Sequence, residues 1–157
     1  MTLLLRPARE ADLAALARLH AECFPEDAWN AGALASVLAM PGAGGCIAYA
    51  ENGAPCGLLL DQCLGPDGEI LTLGVAPAAR RQGIARRLLG DLIARARAAG
   101  VRRLALEAAA DNEAALALYR SLGFQRQGTR RAYYRRARGP AVDALRLTLD
   151  LPAVTLS

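Results

Sequence analysis

A short apolar run, Glu69-Ile70-Leu71-Thr72-Leu73-Gly74-Val75, turns at Ala76-Pro77-Ala78 and passes through Arg80-Arg81-Gln82-Gly83-Ile84-Ala85 into a long amphipathic stretch. The run reads as a buried strand, and Ile84, Leu88, Leu92, Ile93 and Ala96 recur at helical spacing, so a helix begins close to Gln82. That helix ends at Gly100, and Arg103-Leu104-Ala105-Leu106-Glu107 follows as another strand. Strand, helix and strand in this succession imply a parallel crossover. The first N–H groups of such a helix have no intrahelical partner, and the helix dipole adds partial positive charge. The junction therefore suits an anion such as phosphate, with no side chain at Gly83 and almost none at Ala85 to block its approach.

The rest of the chain is expected to pair mostly antiparallel. Thr2 to Arg6 reads as a strand, followed after Pro7 by a helix with Leu13, Leu16, Ala17 and His20 on one face. Phe24-Pro25-Glu26-Asp27 breaks that helix, and a second runs from about Asn30 to Met40. Gly44-Gly45 precedes a strand at Cys46 to Ala50, and Asn52-Gly53 turns it into another at Cys56 to Cys63. Gly65-Pro66-Asp67-Gly68 turns again, into Glu69 to Val75. Asp111 can cap a helix that stops at Gly123, and the last strands fall at Gln125 to Arg131 and Val142 to Leu149. The result is an α/β chain, a mixed sheet flanked by helices.

At 157 residues the chain fits one domain, residues 1–157, and is expected to be soluble and cytoplasmic, having neither a membrane-length apolar run nor a signal-like N-terminus. Cys23, Cys46, Cys56 and Cys63 lie far apart in apolar segments, which favours buried reduced thiols. No metal site is expected, because there is no CxxC pair and His20 is the only histidine. Charge is unevenly spread: 16 arginines and 6 acids from Ala76 onward, against 3 and 9 before it. An anionic ligand or partner near the C-terminal half would account for that clustering. With no lysine anywhere, Schiff-base catalysis and the Gly-Lys-Ser/Thr phosphate loop are excluded.

Arg80-x-x-Gly83-x-Ala85 resembles the pyrophosphate loop of the GNAT acetyltransferase superfamily, Gln/Arg-x-x-Gly-x-Gly/Ala. Asn112 to Phe124 resembles its second signature, Asn-x-x-Ala-x-x-Leu-Tyr-x-x-x-Gly-Phe, at every specified position. Leu104-Ala105-Leu106-Glu107 and Arg130-Arg131-Ala132-Tyr133-Tyr134 are similar to features of the RimI-like group, the ribosomal-protein alanine N-acetyltransferases. The resemblance implies the acyl-CoA N-acyltransferase fold, a sheet of roughly seven strands, mostly antiparallel with a central parallel pair, flanked by four helices. It also implies acetyl-CoA as co-substrate and the N-terminal amine of a protein, possibly ribosomal, as acceptor.

Thioester aminolysis needs a neutral amine and a proton for the departing thiolate. An α-amino group, with a pKa of about 7.7 to 8.0, is far easier to deprotonate than lysine at about 10.4. The resemblance gives Glu107 the role of base, acting through water; a structural carboxylate pairing with arginine stands beside that reading. It gives Tyr119 the role of acid, where periodicity alone reads a core tyrosine beside Ala115, Leu118 and Leu122. For the donor it implies Leu73, Gly74 and Val75 along the pantetheine arm, Gly74 small enough for close approach. It further implies the amides of Arg81, Gln82, Gly83, Ile84, Ala85 and Arg86 at the pyrophosphate, and Asn112 and Tyr119 nearby. Side-chain contact of Arg86 or Arg87 with phosphate stands against a solvated helix face.

Tyr133 and Tyr134 are the implied acceptor-side residues, against a reading in which both pack on the sheet. Here the chain departs from the subgroup: Arg135 replaces the usual proline, and Gly139 to Ala144 is one residue longer and lacks the glutamate. These departures motivate a second reading, a GNAT acting on a small amine such as a polyamine, antibiotic or amino acid. A third, a ribosome- or RNA-binding module, rests on Arg126, Arg130, Arg131, Arg135, Arg136 and Arg138, but no nucleic-acid motif accompanies them.

Overall fold

The unbroken run Leu58-Leu59-Leu60 is fully buried yet serves two cores: Leu58 and Leu60 belong to one apolar cluster and Leu59 to the other. Alternate side chains leave a strand on opposite faces, so a run with no polar member marks a strand covered on both sides. In the computed structural model, which describes residues 2–153, the strands are β1 (Leu4–Pro7), β2 (Ala43–Tyr49), β3 (Pro55–Leu64), β4 (Asp67–Val75), β5 (Arg103–Ala109), β6 (Gln125–Tyr134) and β7 (Val142–Asp150). The helices are α1 (Leu13–Cys23), α2 (Ala31–Leu38), α3 (Ile84–Ala98) and α4 (Glu113–Ser121), with 3-10 turns at Glu10–Asp12 and Pro77–Ala79.

The sheet runs β1-β2-β3-β4-β5-β7-β6, and every neighbouring pair is antiparallel except β4 and β5. This is the mixed sheet with one central parallel pair that the sequence led us to expect. On one face Leu16, Leu19 and Cys23 of α1 and Leu34 of α2 cover Ile47, Leu58 and Leu60. On the other Leu88, Leu89 and Leu92 of α3 and Leu116 and Tyr119 of α4 pack with Leu59, Leu104, Leu106 and Leu147. Each fully buried leucine contributes roughly 1.5 to 3 kcal/mol relative to an exposed one.

Several boundaries moved. α3 starts at Ile84, not near Gln82, because Arg81 and Gly83 sit at φ 64° and 77°, outside the helical region. α4 is capped by Asn112, whose Oδ1 accepts from Ala115 N–H at 3.2 Å, while Asp111 is drawn away to Arg136. Gly44 and Gly45 lie inside β2, and Asp67 and Gly68 already belong to β4. β6 continues to Tyr134 through an irregularity at Ala132, which has φ 50°. The four thiols are free, Cys63 only partly buried, and burial pushes Cys23, Cys46 and Cys63 up to about 11.

β4 and β5 do not stay together. Their ladder pairs only Asp67 to Glu69 with Arg103 to Ala105, although β4 continues to Val75 and β5 to Ala109. Against β3, Leu60 pairs with Thr72 and Asp61 with Ile70, so Leu71 is an extra, bulged residue. A bulge bends its strand and increases the local twist, and this one turns β4 away from β5 where the ladder ends. Beyond it, main-chain groups of β4 face a wedge-shaped opening in mid-sheet.

Candidate active site

The wedge ends at the turn into α3. Arg80 Nε donates to Val75 O at 3.2 Å, which folds the chain back on the end of β4. Left-handed Arg81 and Gly83 curl the next residues, and Arg87 N–H is bound to Gly83 O at 3.1 Å. The amides of Arg81 to Arg86 precede that bond, at the positive end of the helix dipole. Such a cradle of N–H donors fits a phosphate without any cationic side chain. The Arg86 guanidinium donates through Nη2 to Ser121 Oγ at 2.7 Å and ties α3 to α4. A separate cleft of about 570 Å³ lies on the α1 side of the turn, where Gln82 and Ile84 meet Arg18, Glu22 and Asn52.

Glu107 lies on β5, one turn of the pleat beyond the last residue paired with β4. It is mostly buried, and its Oε1 sits 3.0 Å from Nε of Arg130, which is itself largely exposed. Tyr119, from α4, is 7% exposed and makes an edge contact with Phe124, ring centroids 5.8 Å apart. Burial, and then the charge of Tyr134, push its phenol up to about 12. Tyr134 is also raised, by burial first and then by Glu107, Tyr133 and Asp27. Glu107, Tyr119 and Tyr134 thus share one electrostatic neighbourhood. Tyr133 meets Tyr134 edge to face at 5.2 Å but is 52% exposed.

Residues 13–124 match the acetyltransferase (GNAT) family. The chain belongs to this family. It is 57% identical to the N-alpha-acetyltransferase RimI of Mycobacterium tuberculosis over 67 residues, 43% of this chain and 40% of that protein. It is 39% identical to the [ribosomal protein bS18]-alanine N-acetyltransferase of Escherichia coli K12 over 84 residues, 54% of this chain and 57% of that one. The chain thus spans about half the length of these relatives. The crystal structure of the ribosomal-protein-S18-alanine N-acetyltransferase from Escherichia coli superposes on 99% of both chains with a TM-score of 0.88, at 28% identity.

This GNAT chain also uses residues that its motifs do not reveal. His20 is 2% exposed; its Nδ1 accepts from Trp29 N–H at 3.0 Å, which assigns the hydrogen to Nε2, facing Thr72 Oγ1 at 3.1 Å. Phe24 and Trp29 flank its ring at 4.7 and 4.9 Å. Burial holds the imidazole below its usual 6.5 and therefore neutral. His20 thereby pins the segment between α1 and α2 to β4 beside the wedge. Gly74 is small for the same reason, since a Cβ there would come within 2.9 Å of Cys23 and of the Phe24 ring. On the side of Gly74 that a Cβ would take, the close neighbours are Cys23 at the end of α1 and Phe24 just after it. Only a lone histidine four residues before a helix break hinted at any of this.

Proposed function

We propose that residues 1–157 act as a single GNAT domain, an acetyl-CoA-dependent N-alpha-acetyltransferase that modifies the N-terminal amine of a protein, by resemblance a ribosomal one, in the cytoplasm. The observation that carries the reading is the wedge between β4 and β5, with an amide cradle at its mouth and Glu107 and Tyr119 beside it. The amides of Arg81 to Arg86 would hold the pyrophosphate, and Leu73, Gly74 and Val75 would lend their main chain to the pantetheine arm as a partner strand does. The Asn112 side-chain oxygen is spent on the α4 cap, which leaves its NH₂ group for the donor. The bound thioester supplies the activated acetyl group.

Glu107 receives the amine's proton through water as the C–N bond forms. Arg130 must first yield the carboxylate to the neutral amine and its bridging water; being exposed, it can do so at about 0 to 1 kcal/mol. Tyr119 donates its proton to sulfur as the C–S bond breaks, giving the acetylated amine and free thiol. At about 12 the phenol is fully protonated at neutral pH. A thiolate in water, whose thiol has a pKa of about 8.5, would take that proton uphill. The same burial that raises Tyr119 also disfavours a thiolate beside it and so narrows the gap. Tyr133 and Tyr134 would wall the slot for the acceptor's first residues.

The test is thiol release from acetyl-CoA with alanine-initiated peptides beside polyamines, aminoglycosides and free amino acids. Activity on the peptides, reduced on the order of 10² to 10⁴-fold in Glu107→Gln, is the expected result. Activity confined to the small amines would replace this reading with that of a small-molecule GNAT.

A further inference from the structure

The segment that departs from the family pattern, Arg135 to Val142, contains the two fastenings of the acceptor side. Arg136 sets its guanidinium against Asp111 with both Nε and Nη2, at 3.2 Å from Oδ2 and 2.8 Å from Oδ1. The carbon at the centre of the same group lies over the Tyr134 ring, 5.7 Å from its centroid. One residue on, Ala137 N–H donates to Glu26 Oε1 at 3.1 Å. Glu26 belongs to the stretch between α1 and α2, and Asp111 directly precedes the Asn112 cap of α4. The loop between β6 and β7 is therefore fastened at once to the start of α4 and to the α1–α2 segment, across the end of the wedge. Asp143, at the start of β7, adds a third tie by accepting from Ala132 N–H at 2.8 Å.

We propose that Arg136 is a positioning residue: seated on Asp111 and stacked on Tyr134, it closes this clasp and holds Tyr134 where the acceptor is bound. The geometry requires arginine. A planar fork can bind both carboxylate oxygens while presenting a face to an aromatic ring, and a lysine ammonium can do only one of these at a time. The surroundings agree in sign, since Glu26, Asp27 and Asp111 all draw on Arg136, and hydrogen bonding to Arg136 holds the Asp111 carboxyl below its usual range. Arg136 Nη1 also approaches the main-chain carbonyl of Arg135 at 3.4 Å, a contact independent of the side chain at 135.

The inference rests on the proposed acceptor site, so two readouts separate the clasp from that reading. The first needs no acceptor: hydrogen exchange of the amides of residues 132–138 in the free protein. Arg136→Ala should speed it about three- to tenfold, with exchange in α3 and β5 unchanged. The second is steady-state kinetics with an alanine-initiated peptide. Arg136→Ala should raise the peptide KM about three- to tenfold and leave acetyl-CoA binding and thermal midpoint at wild-type values. Arg136→Lys should recover little, Asp111→Asn should reproduce the effect, and the double variant Arg136→Ala/Asp111→Asn should be no worse than either single one. Unchanged exchange at 132–138, additive effects of the two substitutions, or a loss confined to acetyl-CoA binding would each overturn the clasp. Faster exchange in a protein that acetylates only small amines would keep the clasp and discard the peptide reading.

Discussion

The two sides of the wedge are built from different materials. On the β4–α3 side the parts are main chain and close in sequence: a bulge at Leu71, Arg80 reaching back to Val75, left-handed Arg81 and Gly83, and a row of amides at a helix start. On the other side they are side-chain tips from distant segments, with Glu26 meeting Ala137 across 111 positions, His20 meeting Thr72 across 52, and Arg136 meeting Asp111 across 25. Main-chain sites demand particular backbone conformations, which restrict residue type locally and leave a motif. A site of side-chain tips demands only that two far segments arrive together, and that leaves no local trace.

The largest expected effect falls where the two sides meet. Tyr119→Phe keeps the ring on Phe124 and removes only the proton, so turnover should fall by about 10² to 10⁴ while acetyl-CoA binding stays constant. Wild-type turnover in that variant would remove the acid from the scheme.

Two glycine substitutions then address each side separately. Gly74→Ala forces a methyl within 2.9 Å of Cys23 and Phe24, an overpacking of about 1 to 3 kcal/mol that should displace the end of α1 and weaken the acceptor side. Gly83→Ala meets nothing within 4 Å and suffers only from φ 77°, roughly 1 to 2 kcal/mol, and should weaken acetyl-CoA binding instead. Denaturation midpoints with separate KM values for the two substrates check both. If both variants weakened the same substrate, the division into two sides would fail.

The smallest effect is one of pH. His20 has a folded pKa below its ordinary 6.5, so as pH falls the unfolded chain binds the proton first. The contribution of His20 to stability should be constant above about 6.5 and decline as pH drops from there toward the folded value. Urea midpoints for wild type and His20→Gln between pH 8 and 5.5 should converge on the acid side. A constant difference would mean that His20 does not hold the acceptor segment in its neutral form.

Most of the fold was legible in the sequence. The strand at Cys56 to Cys63, the Asn52-Gly53 turn and the stripe from Ile84 to Ala96 each encode local conformation and burial, and strand-helix-strand order forced the parallel pair. Boundaries failed where a tertiary partner outbid local preference. Asp111 is as good a helix cap as Asn112, and it lost the position because Arg136 claims it. Glu107 could be read as a base or as an ion-pair partner, and in the folded chain it holds Arg130.

The sequence by itself determined the sheet order around the crossover, the amide cradle at Arg81 to Arg86 and the family to which the chain belongs, because all three depend on short-range pattern. Only the tertiary structure decided where β4 parts from β5, why Gly74 is small, and how Glu26, Asp111 and Arg136 fasten the loop between β6 and β7. Those outcomes depend on which distant surfaces meet, and a contact across more than a hundred residues is set by the packing of the whole sheet, not by the residues at either end of it.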